Sequence, residues 1–261
     1  MMKTRRIVTT MLGLSLLPGA ILSATETVYA PPSATVVKKD VLNWVQNRSV
    51  KDQSVAEKVK ALWAIENKEL AANELFDLVI DTFALVDPES HKFVDACDLV
   101  NPPLVAPSGK WLDREGADAF FTNNMKLFYG RYLSQRKMYD EALKVLTKLD
   151  PQSVVDPVNC LFHKAVAQHQ LAKKAQGLET LDKLMNNTEG VPGRYMTLAK
   201  LMKMELTDLK MMTLGHVARQ MKDSERRLDL ARGGRNVQKV QRRIIAELDE
   251  IIEKLEKQGG N

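Results

Sequence analysis

Apolar residues return at helical spacing along most of this chain, and little in it could pair as a sheet. Val55, Val59, Leu62 and Trp63 make one stripe. Leu75, Leu78, Val79 and Phe83 make a second, and Phe93, Ala96, Cys97 and Val100 a third. Each follows the i, i+3/i+4, i+7/i+8 spacing that gives an α-helix one buried face. No β-branched run alternates over any length, and neither Asn-Gly nor Asp-Gly occurs to turn a tight hairpin. Asp87-Pro88 and Asn101-Pro102-Pro103 should end the second and third helices, because proline cannot continue a helix and restrains the residue before it. The expected fold is therefore all-α.

Proline and glycine divide the chain. Residues 102–110 (PPLVAPSGK) read as a linker, and GVPG at Gly190 to Gly193 is a softer break. Between them lies an echo of 35 residues: Gly130, Ala142, Leu146 and Leu149 are followed by Ala165, Gly177, Leu181 and Leu184. Small residues recur where two helices must touch and leucines recur on a buried side, the pattern of stacked helical hairpins. LFYGRYLSQRKMYDEALKVLTKLDP resembles a tetratricopeptide repeat, with Leu127, Gly130, Tyr139, Ala142 and Leu146 in its characteristic places. Pro151 comes early, as though the second helix were a turn short, and Gly177 replaces the usual alanine in the next copy. The resemblance covers roughly residues 117–187 and extends toward 205. The mature chain as a whole is also similar to an uncharacterised family of exported bacterial helical-repeat proteins, a similarity that implies no particular activity.

The last section is patterned differently. Leu214, Val217, Met221, Leu228 and Ala231 form a stripe before Gly233-Gly234. Val237, Ile244, Leu248, Ile251 and Leu255 form another at alternating three- and four-residue spacing, with Gln241 in the one polar slot. This a/d pattern predicts an antiparallel coiled-coil hairpin folded at the glycines. One long helix dimerising in trans is the alternative. The expected organisation is a signal peptide (1–24), an N-terminal helical segment (25–101), a linker (102–110), tetratricopeptide-like repeats (111–205) and a coiled-coil hairpin (206–261).

The first block sets the compartment. Lys3, Arg5 and Arg6 precede an apolar stretch from Ile7 to Leu22, and Leu22-Ser23-Ala24 offers small residues to a signal peptidase. Sixteen residues broken by Gly13 and Pro18-Gly19 fall short of the roughly 20 that span a bilayer. The reading is export to the periplasm or the exterior, with no transmembrane helix in the mature chain. The first 24 residues carry three bases and no acid, so the net charge of +5 falls to near +2 after cleavage. Overall charge then gives no support to nucleic-acid binding. Cys97 and Cys160 read as two buried thiols rather than a bridge.

No phosphate-cradling glycine loop, His-Glu-x-x-His, Gly-x-Ser-x-Gly or Cys-x-x-Cys is present, and no cofactor or metal is expected. Cys160 and His163 share a helix face, but two ligands do not make a site. Twelve acids against four bases lie between Glu66 and Asp118, without the alternation of a calcium loop. Six of the twelve methionines fall in 196–221, where filling gaps in a core accounts for them. The sharpest charge feature flanks Gly233-Gly234: Arg226, Arg227, Arg232, Arg235, Lys239, Arg242 and Arg243, with Asp229 the single acid. Gathered at a hairpin tip, these bases could dock onto a protein partner or an anionic envelope surface. The expected function is a non-enzymatic exported scaffold that binds through its repeat surface and this basic-tipped arm. The alternatives are an envelope hydrolase using acids of 66–118, and a structural oligomer assembled through the C-terminal coiled coil.

Overall fold

A computed structural model describes residues 27–48, 52–64, 70–210 and 212–259. The signal sequence expected at 1–24 lies outside the described residues, as do Glu66, Glu69 and Met211. Among the described residues there are eleven α-helices and two short 3-10 turns, and the fold is all-α. The sheet-like feature found is a single bridge between Tyr29 and Thr188.

Four helices precede the proline-rich segment: α1 (Ala34–Asn47), α2 (Gln53–Leu62), α3 (Ala72–Val86) and α4 (Pro88–Ala96). Their starts are chemically marked. Ser33 caps α1, Asp52 caps α2, and the Glu74 carboxylate accepts from the Ala71 N–H at 3.0 Å to close the first turn of α3. Asp87 ends α3 and caps α4, with Pro88 at the first helical position, where its missing N–H costs nothing. The third apolar stripe breaks early, however. α4 stops at Ala96, the Asp98 carboxylate accepts from the Val100 N–H at 2.7 Å, and Val100 is left 85% exposed.

Residues 102–110 are strapped across the next helix, α5 (Ala119–Gln135). The Tyr129 hydroxyl donates to the Pro107 carbonyl at 2.6 Å, and Arg136 donates to that of Pro103 at 3.1 Å. Gly109 lies so close to the Tyr129 ring that a Cβ there would sit 2.6 Å from it. One hydrophobic core spans the strap, running from Val37 to Ala167. Within it Trp44 stacks on Phe121 with centroids 5.2 Å apart, and the Trp63 indole donates to the Thr82 hydroxyl at 2.9 Å.

Helices α6 (Tyr139–Leu146), α7 (Pro157–Gln170), α8 (Lys174–Asn186) and α9 (Gly193–Asp208) follow, each against its predecessor, with α7 also touching α5 and α9 touching α7. The turn between α5 and α6 recurs 35 residues later between α7 and α8. Lys137 and Ala172 both take the left-handed conformation, at φ 57° and 53°. In each turn the next residue's N–H (Met138, Lys173) donates 2.8 Å to a carbonyl five back (Leu133, Gln168). Gly130 permits the α5–α6 contact, because a Cβ would lie 2.5 Å from the buried Leu146. α6 has eight residues where α8 has thirteen, and a 3-10 turn at Pro151–Ser153 takes up the difference.

The chain closes with α10 (Leu214–Asp229) and α11 (Arg235–Gly259), which pack on one another across Gly233-Gly234. His216 and Gln220 of α10 meet Glu247 of α11 at 2.8 and 2.9 Å, so the two run antiparallel. Their seam departs from the expected pattern. Of the α10 stripe only Val217 is buried; Leu214, Met221, Leu228 and Ala231 are exposed, while His216 and Ser224 occupy the inside. On α11 Val237 and Ile244 are buried, Leu248 and Ile251 half-buried, and Leu255 exposed.

Candidate interaction surfaces

A groove of about 670 Å³ opens between α6, α7 and α8, and Tyr29 forms part of its wall. Tyr29 is held there by backbone bonds, its N–H to the Asn187 carbonyl at 2.7 Å and its carbonyl from Glu189 at 3.0 Å. Lys144 and Lys148 line the groove from α6, Lys164 from α7, Lys173 from the turn and Lys183 from α8, against the acids Asp140 and Glu179. Lys148 is paired with Asp113 at 3.0 Å and Lys183 with Glu179 at 2.6 Å. Lys144, Lys164 and Lys173 make no salt bridge among the described residues. Gln168 also lines this groove; it is 4% exposed and its Oε1 has no hydrogen-bond partner.

The seven bases around Gly233-Gly234 divide into two groups. Arg226 and Arg227 clasp Asp223, Arg227 reaches Asp140 on α6 at 2.9 Å, and Arg232 reaches Glu141 at 2.6 Å. Arg226 also lies 5.0 Å over the Tyr139 ring and donates to the Lys137 carbonyl at 2.6 Å. Three of the bases expected at a projecting tip thus fasten the hairpin to α6. Arg235, Lys239, Arg242 and Arg243 are exposed on α11. Further along, Arg219 donates to Glu205 at 2.8 Å and to the His169 carbonyl at 3.1 Å, spanning a cleft of about 820 Å³ under α10. Burial pushes the Glu205 carboxyl up, but the His169 ring and Arg219 outweigh it and hold the pKa below its ordinary value.

The acids of the 66–118 segment that the structure describes serve mainly as caps and surface partners. Asp87 and Asp118 cap helices. Asp77 pairs with Arg131 at 2.8 Å, Glu89 takes both guanidinium nitrogens of Arg114, and Asp113 holds Lys126 and Lys148. Burial, with the neighbouring Asp77 charge, raises the Asp81 pKa.

Cys160 and His163 are both inside the protein. The Cys160 and Cys97 thiols are free, and burial pushes each up to about 12, too high to supply thiolate at neutral pH. His163 lies 3.2 Å from the Ser134 hydroxyl, and burial drives its pKa down to about 4. Among the described residues no three His, Cys, Asp or Glu side chains gather to hold a metal ion. Of the six methionines in 196–221, Met202 is buried, while Met204 and Met221 are exposed.

The lysine groove was not singled out from the sequence, although a signal for it existed. Lys148 and Lys183 are 35 residues apart, at equivalent places in the echo. No protein-family model, curated protein or solved structure matches the chain.

Proposed function

We propose that the protein is a non-enzymatic exported scaffold that holds an acidic protein segment in the groove between α6, α7 and α8. The observation that carries this reading is the rim of lysines without salt bridges, Lys144, Lys164 and Lys173, along the groove. Carboxylates on a bound chain would neutralise the lysines. The 35-residue recurrence of the left-handed turn supports a tetratricopeptide-like stack as the frame. The basic, apolar, acid-free start of the chain supports export to the periplasm or exterior. The contact arm of this reading is narrowed to the four exposed bases on α11.

A fluorescein-labelled peptide of ten glutamates, titrated by anisotropy, tests the proposal. Saturable binding is expected, and it should weaken at least about tenfold in K144E/K164E/K173E with an unchanged circular dichroism spectrum. Binding that the triple variant leaves intact, or no saturable binding to the unaltered protein, would overturn the groove as the site.

A further inference from the structure

The α10–α11 hairpin carries a second apolar face that nothing among the described residues covers. Leu214, Met221 and Leu228 follow one another at seven-residue intervals on α10, and Ile245 and Ile252 do so on α11. Their exposures run from 50% to 62%. Seven residues bring a helix back to within about 20° of its start, so each set is a line along its helix. On α10 the line lies roughly a quarter of a turn beyond the residues facing α11 (Val217, Gln220, Ser224). On α11 it lies roughly a quarter of a turn beyond Val237, Ile244 and Glu247. Because the helices run in opposite directions, the same sense of rotation brings both lines to one side of the hairpin.

The charge on α11 indicates what fits that side. From Arg235 to Arg243 the helix carries exposed bases and no acid; Arg235 and Arg242 flank the Ile245 and Ile252 line, while Lys239 and Arg243 lie on the far side of the helix. Beyond Glu247 the exposed acids Asp249, Glu253 and Glu256 flank the line, while Glu250, Lys254 and Lys257 lie on the far side. The sign reverses close to the middle of the helix. An anionic surface would attract one half and repel the other. A second hairpin running the opposite way sets the basic half of each α11 beside the acidic half of its copy. A surface that is positive and then negative is its own complement under a two-fold rotation, as a closed dimer requires.

We infer that two copies of this chain associate through this face, their hairpins antiparallel, to form a four-helix bundle centred on Met221, Ile245 and Ile252. The inference is independent of the groove, which lies on α6–α8 and would remain open in a monomer.

Sedimentation velocity on the full chain tests it. The unaltered protein should sediment as a dimer, and M221E/I245E/I252E should raise the dissociation constant by about 30-fold or more, as loss of a central anchor does. The helical circular dichroism should stay unchanged. Two charge variants provide a second arm that leaves the apolar residues alone: R235E/K239E/R242E/R243E and D249K/E250K/E253K/E256K. Each alone should pair weakly, and an equimolar mixture should recover the dimer. A monomer at every concentration, or a dimer indifferent to M221E/I245E/I252E, would overturn the interface. Failure of the mixed charge variants to recover pairing would overturn the antiparallel arrangement.

Discussion

The α5–α6, α7–α8 and α10–α11 pairs are closed by the same left-handed turn, at Lys137, Ala172 and Ala231, yet they are held together in opposite ways. In the first two pairs leucine dominates the interior, with Asn124, Ser134, His163 and Gln168 buried beside it. Leu127, Leu133, Leu146, Leu181 and Leu184 are wholly buried. In the third, His216, Ser224 and Glu247 occupy the inside, while Leu214, Met221, Leu228, Ile245 and Ile252 face out. The turn fixes the direction of the returning helix but does not decide which face it buries. That is decided by the neighbours. α7 lies between α5, α6, α8 and α9, whereas α11 packs chiefly on α10 among the described residues. Where helices surround a face, leucine fills most of it; where they do not, polar residues share the inner seam and apolar residues remain available outside.

The largest expected effect separates the two regions directly. Leu133→Ala, in the filled interior of α5, should lower the unfolding free energy by about 3–4 kcal/mol, since it removes transfer energy and leaves a cavity. Met221→Ala, on the outward face of α10, should stay within about 0.5 kcal/mol at concentrations where the chain is monomeric. Urea denaturation of both variants measures the contrast. Equal losses would mean that the outward face of the hairpin is packed in solution.

A polar group inside the body should cost almost as much when it is charged. His163 is buried against Ser134 with its pKa depressed to about 4, below the 6.5 of a free imidazole. The folded state therefore resists protonation while the unfolded chain accepts it. The stability associated with His163 is fully present above about pH 6.5 and is lost as pH falls toward 4, by on the order of 3 kcal/mol. In His163→Gln, the dependence of the urea midpoint on pH across that window should be correspondingly flatter. An unchanged slope would assign the acid sensitivity to other groups.

What the sequence disclosed follows the same division. All-α character was legible because each stripe of α2 and α3 meets a face that is in fact buried. The 35-residue echo was legible because Gly130 and Gly177 stand where helices touch, with a Cβ excluded at 2.5–2.6 Å. The seam of the hairpin was not. An a/d pattern records which residues are apolar, not which side of a two-helix pair has a neighbour, so Leu214 and Leu228 read as core. The basic tip was misleading for a related reason. Asp140 and Glu141, roughly ninety residues earlier, hold Arg226, Arg227 and Arg232, and no local spacing announces a partner so distant. The lysine groove draws its side chains from α6, α7, α8 and the turn between the last two, so only the fold assembles it.

Glycine sharpens the comparison at a smaller scale. Gly130→Ala should cost about 2 kcal/mol, because the new methyl meets a fully buried Leu146 side chain with no room to turn. Gly234→Ala, with nothing within 4 Å of the position, should shift the thermal midpoint little or not at all. A strong penalty at Gly234 would mean that the turn of the hairpin is more crowded than that of the body.

The smallest effect concerns how the two regions are joined. Arg227 pairs with Asp140 at 2.9 Å with both side chains partly open to solvent, so screening limits what the pair contributes. A double-mutant cycle of Arg227→Met and Asp140→Asn should return a coupling of about 1 kcal/mol at low salt that shrinks in high salt. Arg227 is also held by Asp223 on its own helix at 2.7 Å, so removing Asp140 alone leaves the guanidinium partnered. A coupling that survives high salt would mean that apolar packing carries the join. One that vanishes would make the attachment of the hairpin electrostatic, in keeping with an arm that reserves its apolar face for another chain.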